Sequence, residues 1–361
     1  MLTRRHFLAA SGLAVLGSSL PRTSQAAGSH WRMPDEGERH AATWMAFGPG
    51  PDVWGDTLQR GAQEALARIA NAIAAYEPVH MLVRAADHDT ASRLCSNKVQ
   101  LIVQDIDDLW MRDTGPVFVT SSSGQLAGVD FNFNGWGNKQ QHEADAEVAA
   151  FVCEHSGVTR LPTKLVLEGG GIEVDGQGTA IITESCVLNA NRNPGVSKAQ
   201  CEAELKRLLG IDKVIWLPGI AGRDITDGHT DFYARFTQPG VVVAGIENDP
   251  DAYDHAVTRR HLAILQNATD ARGRKLKVIP LPAPASTRPR YRNDDFAAGY
   301  INFYVCNGAV IAPQFGDARA DRHCQAVLRE QFAGRDIVQL DIDAIAAGGG
   351  GIHCTTQQQP A

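Results

Sequence analysis

The last third of the chain alternates between short apolar runs and one amphipathic stretch. Two apolar, β-rich runs flank Asn307 and Gly308, and this dipeptide between two such runs is typical of a tight hairpin. The pattern therefore predicts a unit of strand, turn, strand, helix and strand. Its segments are strands at 301–306 and 309–311, a helix at 318–332 and a strand at 337–340.

The same order of segments recurs four times upstream. The earliest copy has no recognisable hairpin, and the second lacks a clear last strand. Five units about 50–75 residues apart favour radial repetition. The upstream units start with strands at 42–47, 117–120, 168–174 and 229–236, and their helices are predicted at 57–76, 144–155, 198–209 and 252–267.

This repetition predicts an α/β fold, a five-bladed pseudo-symmetric propeller with the first strand of each unit near the axis. The extended segment at 348–358 would close the ring against the first unit. The proline-rich run at 280–284 is predicted to be a stiff connector within one domain. A general α/β fold with alternating elements is the alternative that the pattern leaves open.

Composition narrows the class of protein. The 361 residues are 43% hydrophobic and 21% charged, which is ordinary for a globular domain and argues against disorder or a coiled coil. The formal net charge is -7 and no long Lys/Arg block occurs, so a nucleic-acid partner is not expected. We predict a single catalytic domain over residues 27–361, with no membrane contact in its mature form.

The N-terminus carries the features of an export signal. Arg4 and Arg5 precede an apolar stretch at 8–20, which is too short to cross a membrane comfortably, and small residues surround a cleavage site after Ala26. This predicts a twin-arginine signal over residues 1–26, handled by the twin-arginine translocase and a signal peptidase, and a periplasmic or secreted product. Cleavage would remove three of the 34 basic residues and none of the 41 acidic residues, so the mature chain would have a formal net charge of -10.

The seven cysteines are spread widely, and none forms a C-x-x-C pair. A disulfide scaffold or a zinc site would need tighter spacing, so neither is predicted. Most of these cysteines are expected to be small buried hydrophobic residues, including Cys324 next to His323 in the last predicted helix. Cys354 is the exception because of the segment that surrounds it.

Four segments combine glycines with reactive or charged side chains. Each falls at the start of a predicted unit or at the closing strand, so a radial fold brings them to one central site. They are WMRDTGP at 110–116, EGGG at 168–171, DGHTD at 227–231 and GGGGIHCTTQQ at 348–358.

The side chains in these segments suit one type of reaction. Cys354 is a nucleophile as its thiolate, and His229 can act as acid and base near neutrality, oriented by Glu168. His229 and Asp231 are two residues apart, so on a strand both would point to one face. With Asp113 there are three carboxylates, more than a cysteine protease needs. Buried negative charge requires a cation, and a guanidinium can bind two carboxylates, which indicates C–N hydrolysis at a guanidinium carbon.

With these motifs the chain resembles the agmatine deiminase and Porphyromonas-type peptidylarginine deiminase family, within the guanidine-modifying pentein superfamily. The resemblance extends from about residue 33 to residue 360. It implies a five-bladed α/β propeller that uses no metal and no cofactor. The matching motifs are WMRDTGP, EGG, DGQGT at 175–179, GHTD at 228–231 and GIHCTTQQ at 351–358.

The resemblance also implies roles for individual residues. Cys354 would be the nucleophile and His229 the general acid/base, held by Glu168. Two carboxylates would bind the guanidinium, and a tryptophan would wall the substrate channel. The predicted substrate-binding residues are Trp110, Asp113, Trp136, Asp227 and Asp231.

The implied reaction converts agmatine to N-carbamoylputrescine and ammonia through a covalent thiouronium intermediate. The alternative substrate is an arginine in a protein or at a peptide C-terminus, which would become citrulline. A more distant alternative is an amidinotransferase, which passes the amidino group to an amine. A non-catalytic module that binds arginine-rich partners is a further possibility from another class.

The substrate prediction depends on segments that depart from the family pattern. The run FGPGPD at 47–52 stands where agmatine deiminases usually carry Trp-Pro. Arg288, Arg290 and Arg292 would favour a substrate with a carboxylate if they face the mouth of the site. Asp224 and Asp227 would instead favour the distal ammonium of agmatine if they line the mouth.

Overall fold

The computed structural model describes residues 30–361. The predicted signal over residues 1–26 lies outside the described residues and stays a prediction. Within the described part of the chain, no helix is both long enough and apolar enough to span a bilayer.

The described residues form seventeen strands and ten α-helices. The strands are Trp31–Arg32 (β1), His40–Ala46 (β2), Val79–Val83 (β3), Val99–Val103 (β4), Val117–Ser121 (β5), Leu126–Asp130 (β6), Thr159–Pro162 (β7), Ile172–Val174 (β8), Thr179–Thr183 (β9), Lys213–Leu217 (β10), Ala234–Gln238 (β11), Val241–Ile246 (β12), Lys277–Pro282 (β13), Tyr304–Cys306 (β14), Ala309–Gln314 (β15), Asp336–Asp341 (β16) and Thr356–Pro360 (β17). The helices are Pro51–Ile73 (α1), His88–Leu94 (α2), Met111–Thr114 (α3), Gly135–Asn138 (α4), Val148–His155 (α5), Glu184–Val187 (α6), Lys198–Leu209 (α7), His255–Asn267 (α8), Ala318–Gln331 (α9) and Asp343–Ala346 (α10).

The strands form five sheets within residues 30–361, one for each predicted unit. In four sheets an antiparallel hairpin is followed by a helix and a third strand parallel to the second, as in β14-β15-β16. The predicted α/β class and the repeated unit are therefore confirmed. The strand orders are β1-β5-β6-β7, β8-β9-β10, β11-β12-β13, β14-β15-β16 and β17-β2-β3-β4.

The fifth sheet is completed by the C-terminal segment. Strand β17 lies antiparallel to β2, with Thr356 opposite Met45 and Gln358 opposite Thr43. This pairing supplies the hairpin partner that the first unit lacks in sequence, and it confirms the predicted closure.

Several boundaries differ from the sequence prediction for a common reason. The first strands predicted at 168–174, 229–236 and 301–306 are shortened to Ile172–Val174, Ala234–Gln238 and Tyr304–Cys306. Their leading residues leave the strand and turn toward the centre of the molecule, because they carry polar groups that bond there instead of in the sheet.

The proline-rich run at 280–284 was expected to be a connector, and that prediction is wrong for its first half. Pro280 and Pro282 belong to β13, where they pair with Ala244 and Ile246 of β12. Strand β13 is at the edge of its sheet, where a residue without an N–H group removes no ladder bond on the inner side.

Helix α7 shows how local sequence sets an element's ends. The Ser197 side chain accepts from the Gln200 amide N–H and the Gln200 side chain accepts from Ser197 N–H, which forms a capping box. Gly210 ends the helix with φ of 69°, a left-handed conformation that glycine adopts without strain. Leu205, Leu208 and other apolar residues of this helix pack against the sheet β8-β9-β10.

A buried charge network joins the first strands of the sheets at the centre. Glu36 accepts from Arg235 Nη2 at 2.8 Å, from Arg112 Nη2 at 3.0 Å and from the Val305 amide N–H at 2.8 Å. Arg235 also donates to Glu173 at 2.7 Å. These four partners come from four different units, so the network fixes the units relative to one another.

Candidate active site

The four predicted segments meet at the centre. Each contributes a short turn or single helical turn: α3, the 3₁₀ turns Gly169–Gly171 and Thr230–Phe232, and the 3₁₀ turn His353–Thr355. Asp231 lies in the 3₁₀ turn Thr230–Phe232 and His229 is its N-cap residue, so the expectation that they share one face of a strand is wrong. They still reach the same site because the turn is followed directly by β11.

The Cys354 thiol lies in a polar, buried setting. Its side chain is 6% exposed, and Sγ donates to Asp231 Oδ2 at 3.4 Å. Asn302 Nδ2 approaches Sγ at 3.2 Å, and Asn302 Oδ1 accepts from the Cys354 amide at 3.3 Å. Burial, with Asp231 and Asp113 nearby, raises the pKa of the Cys354 thiol well above its usual value. The thiol is therefore neutral at pH 7 until a cation enters.

The His229 imidazole lies between two carboxylates. Its Nε2 is 3.2 Å from Glu168 Oε2, and its Nδ1 is 3.7 Å from Asp113 Oδ2. Burial would lower the pKa of His229, but Asp113 and Glu168 together hold that pKa well above its usual range. The histidine can therefore carry a proton at neutral pH and release it to a leaving group.

The Arg192 guanidinium fixes the orientation of the Glu168 carboxylate. Arg192 Nε donates to both oxygens of Glu168, at 2.8 and 3.0 Å. Burial would raise the pKa of Glu168, but His229 and Arg192 lower it. The carboxylate therefore stays charged and orients His229, the role that an acid plays beside a catalytic histidine.

Asp113 and Asp231 are the two carboxylates that face the thiol and the histidine. Asp113 Oδ1 accepts from the Gly170 amide at 3.0 Å, and burial raises the pKa of Asp113 to about 6. Asp231 Oδ1 is buried with no hydrogen-bond partner among residues 30–361. A buried carboxylate oxygen without a donor is an atom left for a ligand N–H group.

Glycine is required where the site is most crowded. A Cβ on Gly170 would lie 2.6 Å from His229 Nδ1 and 2.9 Å from Asp113 Oδ1. A Cβ on Gly350 would lie 2.1 Å from the Trp110 ring. The glycine runs noted in the sequence therefore let backbone and side chains approach the site closely.

One group of side chains could hold a metal ion. Ligand atoms of Glu168, Cys186 and His229 lie within 4.8 Å of one another. The Arg192 guanidinium already donates to both oxygens of Glu168. A positive charge therefore already lies beside these three residues.

A cavity of about 620 Å³ leads from the surface to His229 and Trp110. The Trp110 indole N–H donates to Asp108 at 3.0 Å, and its ring centre is 5.8 Å from that of Trp54. In the described part of the chain, Arg223 is the one arginine or lysine among the lining residues. The carboxylates that line the cavity are Asp108, Asp224, Glu247, Asp254, Asp294 and Asp295.

Two predicted substrate-binding residues lie behind the site. The Trp136 indole N–H donates to Asp113 Oδ2 at 3.0 Å. Asp227 accepts from Lys139 at 2.7 Å and from Arg192 at 2.8 Å; burial opposes the ionised form, but these donors lower the pKa of Asp227 to about 2. Neither residue is among those that line the cavity, and the same is true of Cys354, Asp113 and Asp231. All of these assignments as substrate contacts stay predictions.

The basic cluster before the fifth unit is also not part of the cavity lining. Arg288 bonds Asp343 at 2.7 Å, and the Arg290 guanidinium stacks on Tyr291 at 4.8 Å. None of Arg288, Arg290 and Arg292 lines the cavity. The condition under which they would favour a carboxylate-bearing substrate is therefore not met.

Sequence reasoning missed four residues of the site. Asn302 contacts the thiol, and Arg192 anchors Glu168. His353 contacts Asp231, and Glu36 contacts His353 from the other side. Asn302 had a signal, since it is a single polar residue in an apolar run. Glu36 had none, because its partners are distant in sequence.

Comparison with known proteins agrees with this geometry. The family model for Porphyromonas-type peptidyl-arginine deiminase matches residues 32–360. The agmatine deiminase of Stutzerimonas stutzeri is 41% identical over 352 residues, covering 91% of this chain and 95% of the relative, and that of Pseudomonas aeruginosa (strain LESB58) is 38% identical over 362 residues, covering 94% and 98%. The structure of the Enterococcus faecalis agmatine deiminase superposes with a TM-score of 0.87 at 34% identity, covering 92% of this chain and 96% of that one. The chain thus belongs to the Porphyromonas-type peptidyl-arginine deiminase family.

Proposed function

We propose that the protein hydrolyses agmatine to N-carbamoylputrescine and ammonia. The observation that carries this proposal is the Asp231 Oδ1 atom, a buried carboxylate oxygen with no donor among residues 30–361, beside a neutral Cys354 thiol. A guanidinium supplies both the missing N–H donor and the missing positive charge. Relatives that share more than a third of the residues are agmatine deiminases.

In the proposed first half-reaction, Asp113 and Asp231 bind the guanidinium against Cys354. The positive charge of the substrate offsets the two carboxylates, so the pKa of the thiol falls. The thiol releases its proton to solvent, and the thiolate attacks the guanidinium carbon. His229 gives its proton to the departing nitrogen, which leaves as ammonia. A thiouronium on Cys354 remains.

In the second half-reaction, the neutral His229 removes a proton from water, and the resulting hydroxide attacks the thiouronium carbon. Collapse of that adduct breaks the C–S bond, the hydroxyl proton passes to the departing thiolate, and the neutral ureido product is released as Cys354 returns to its thiol form. Glu168 keeps the imidazole oriented through both steps, because Arg192 prevents its carboxylate from turning away.

The lining of the cavity supports agmatine over a peptide with a C-terminal arginine. Agmatine carries a second cation at its far end, whereas such a peptide carries a carboxylate. Six carboxylates line the cavity, among them Asp224 and Asp254, against one arginine and no lysine among the described lining residues. Their field attracts a distal ammonium and repels a distal carboxylate.

We expect ureido product and ammonia from agmatine, and little product from a peptide that ends in arginine. Asp254→Asn should raise KM for agmatine about two- to fivefold with kcat nearly unchanged, because a partly exposed charge contributes weakly to binding. Arg290→Ala, an exposed residue outside the cavity, serves as the matched control and should change neither constant. Product from the peptide alone would overturn the assignment of agmatine.

The pKa of Asp113 predicts how binding depends on pH. Asp113 must be ionised to bind a guanidinium, and burial raises its pKa in the empty site to about 6. KM for agmatine should therefore rise as pH falls through about 6, while the substrate keeps its charge. Steady-state kinetics between about pH 5 and pH 8 measure this. Asp113→Asn should raise KM at every pH and abolish the dependence of KM on pH. A KM that does not change with pH in the native protein would contradict the role of Asp113.

A further inference from the structure

The imidazole that precedes the nucleophile has a carboxylate at each nitrogen. His353 Nδ1 is 2.8 Å from Asp231 Oδ2, and His353 Nε2 is 2.9 Å from Glu36 Oε2. The His353 side chain is 2% exposed, and Asp231 is fully buried. The reaction proposed above assigns no role to His353 or Glu36.

The two distances require a shared proton. A neutral imidazole carries one N–H group, so its other nitrogen presents a lone pair. A lone pair and a carboxylate oxygen would then face each other within 3 Å, and two acceptors repel at that distance. Burial, Arg112 and Arg235 lower the pKa of His353, whereas Glu36 and Asp231 raise it. The distances therefore carry the inference that each imidazole nitrogen holds a proton along the line from Glu36 to Asp231.

Glu36, at the end of this line away from Asp231, is held rigidly. Glu36 accepts from Arg112, Arg235 and the Val305 amide, all within 3.0 Å. Burial would raise the pKa of Glu36, but Arg235 and His353 hold that pKa well below its usual range. Glu36 is thus a fixed anion, and His353 cannot turn without breaking a charge-assisted hydrogen bond to it.

The near end determines which Asp231 oxygen faces the substrate. Asp231 Oδ2 is occupied by His353 Nδ1 and by the Cys354 thiol, while Oδ1 has no donor in the described residues. Without His353, the carboxylate could rotate and place both oxygens in other contacts. His353 thus stands to Asp231 as Glu168 stands to His229.

We infer that His353, anchored by Glu36, is a positioning residue that holds Asp231 Oδ2 and so presents Oδ1 to the guanidinium. This inference rests on the proposed function, since it explains how the same site binds its substrate. It also accounts for a histidine directly before the nucleophile, where the sequence analysis had assigned no role.

Two amide variants separate the ends of the imidazole. In His353→Asn, the side-chain NH₂ takes the place of Nδ1 and can still donate to Asp231, but it does not reach Glu36. In His353→Gln, the NH₂ takes the place of Nε2 and can still donate to Glu36, but Asp231 loses its donor. Both variants remove the imidazole and both remain polar, so each is the matched control for the other.

We expect His353→Gln to raise KM for agmatine at least about tenfold and to lower kcat/KM about 100-fold, as for loss of a buried hydrogen bond to a charged group. His353→Asn should keep kcat/KM within about fivefold of the native value. Equal losses in the two variants would show a merely structural role, and native kinetics in His353→Gln would show no role at all. Either result overturns the inference.

A readout without turnover keeps this inference separate from the proposed function. The groups that face Cys354 are Asp231, Asp113 and Asn302, and those that face His353 are Glu36, Asp231, Arg112 and Arg235. Removing the donor on Asp231 leaves its charge less compensated, so the pH at which iodoacetamide modifies Cys354 should rise in His353→Gln and not in His353→Asn.

Failure of the native protein to act on agmatine would remove the proposed function alone. The alkylation of Cys354, located by peptide mass spectrometry, would then still decide the inference. Identical pH profiles in the native protein and in both variants would overturn it.

Discussion

Replacing the Cys354 thiol by a hydroxyl is expected to lower kcat by about 10⁴-fold or more and to leave agmatine binding nearly unchanged. The guanidinium's charge can bring a thiol within reach of ionisation, but the pKa of a serine hydroxyl lies far above it. Asp113 and Asp231, the proposed ligands of the guanidinium, are untouched in Cys354→Ser. Ammonia release measures turnover, and calorimetric titration with agmatine measures binding.

A second cysteine provides the control for this substitution. Cys95 is partly exposed and lies at the end of α2, away from the site. Cys95→Ser should therefore retain native activity. Turnover by Cys354→Ser within about 100-fold of the native rate would remove the thiol from the mechanism.

His229→Gln is expected to lower kcat by about 10³-fold. The glutamine amide takes the place of Nε2 and can still bond Glu168, which preserves the local packing. It cannot hold or release a proton where Nδ1 faces Asp113, so ammonia would depart without an acid and water would be activated without a base. Single-turnover kinetics should show that both half-reactions slow down.

His323→Gln is the matched control, since His323 is exposed on α9. It should leave kcat unchanged. A kcat for His229→Gln within about tenfold of the native value would mean that another group transfers the proton.

The sequence carried enough local information to predict the repeated unit. Asn307 and Gly308 do join β14 to β15, because the turn and the apolar runs that it joins are specified by neighbouring residues. The predicted first strands were too long because hydrophobic periodicity depends on the spacing of apolar residues and contains no information about the hydrogen-bond partners of polar groups. Asn302, inside one predicted strand, leaves the ladder to contact Cys354.

The same contrast applies to the site. Cys354, His229, Glu168, Asp113 and Asp231 could be proposed together, since each lies in a distinctive glycine-containing motif at the start of a unit. Glu36 could not, because its partner Val305 is 269 residues away and nothing near Glu36 signals burial. The charge of Arg288 was also not enough to predict its role from sequence, because its hydrogen bond to Asp343 is visible only in the structure.

The pairing of β17 with β2 links catalysis to the order of folding. Gln358 and its partner Thr43 lie at opposite ends of the described chain, and such non-local pairing bears a large loop-closure entropy, so it forms late. Cys354 directly precedes β17 and takes its position only when that strand docks. Deimination activity would therefore measure ring closure. A partly folded chain would lack an assembled site around Cys354, however much sheet structure it had formed.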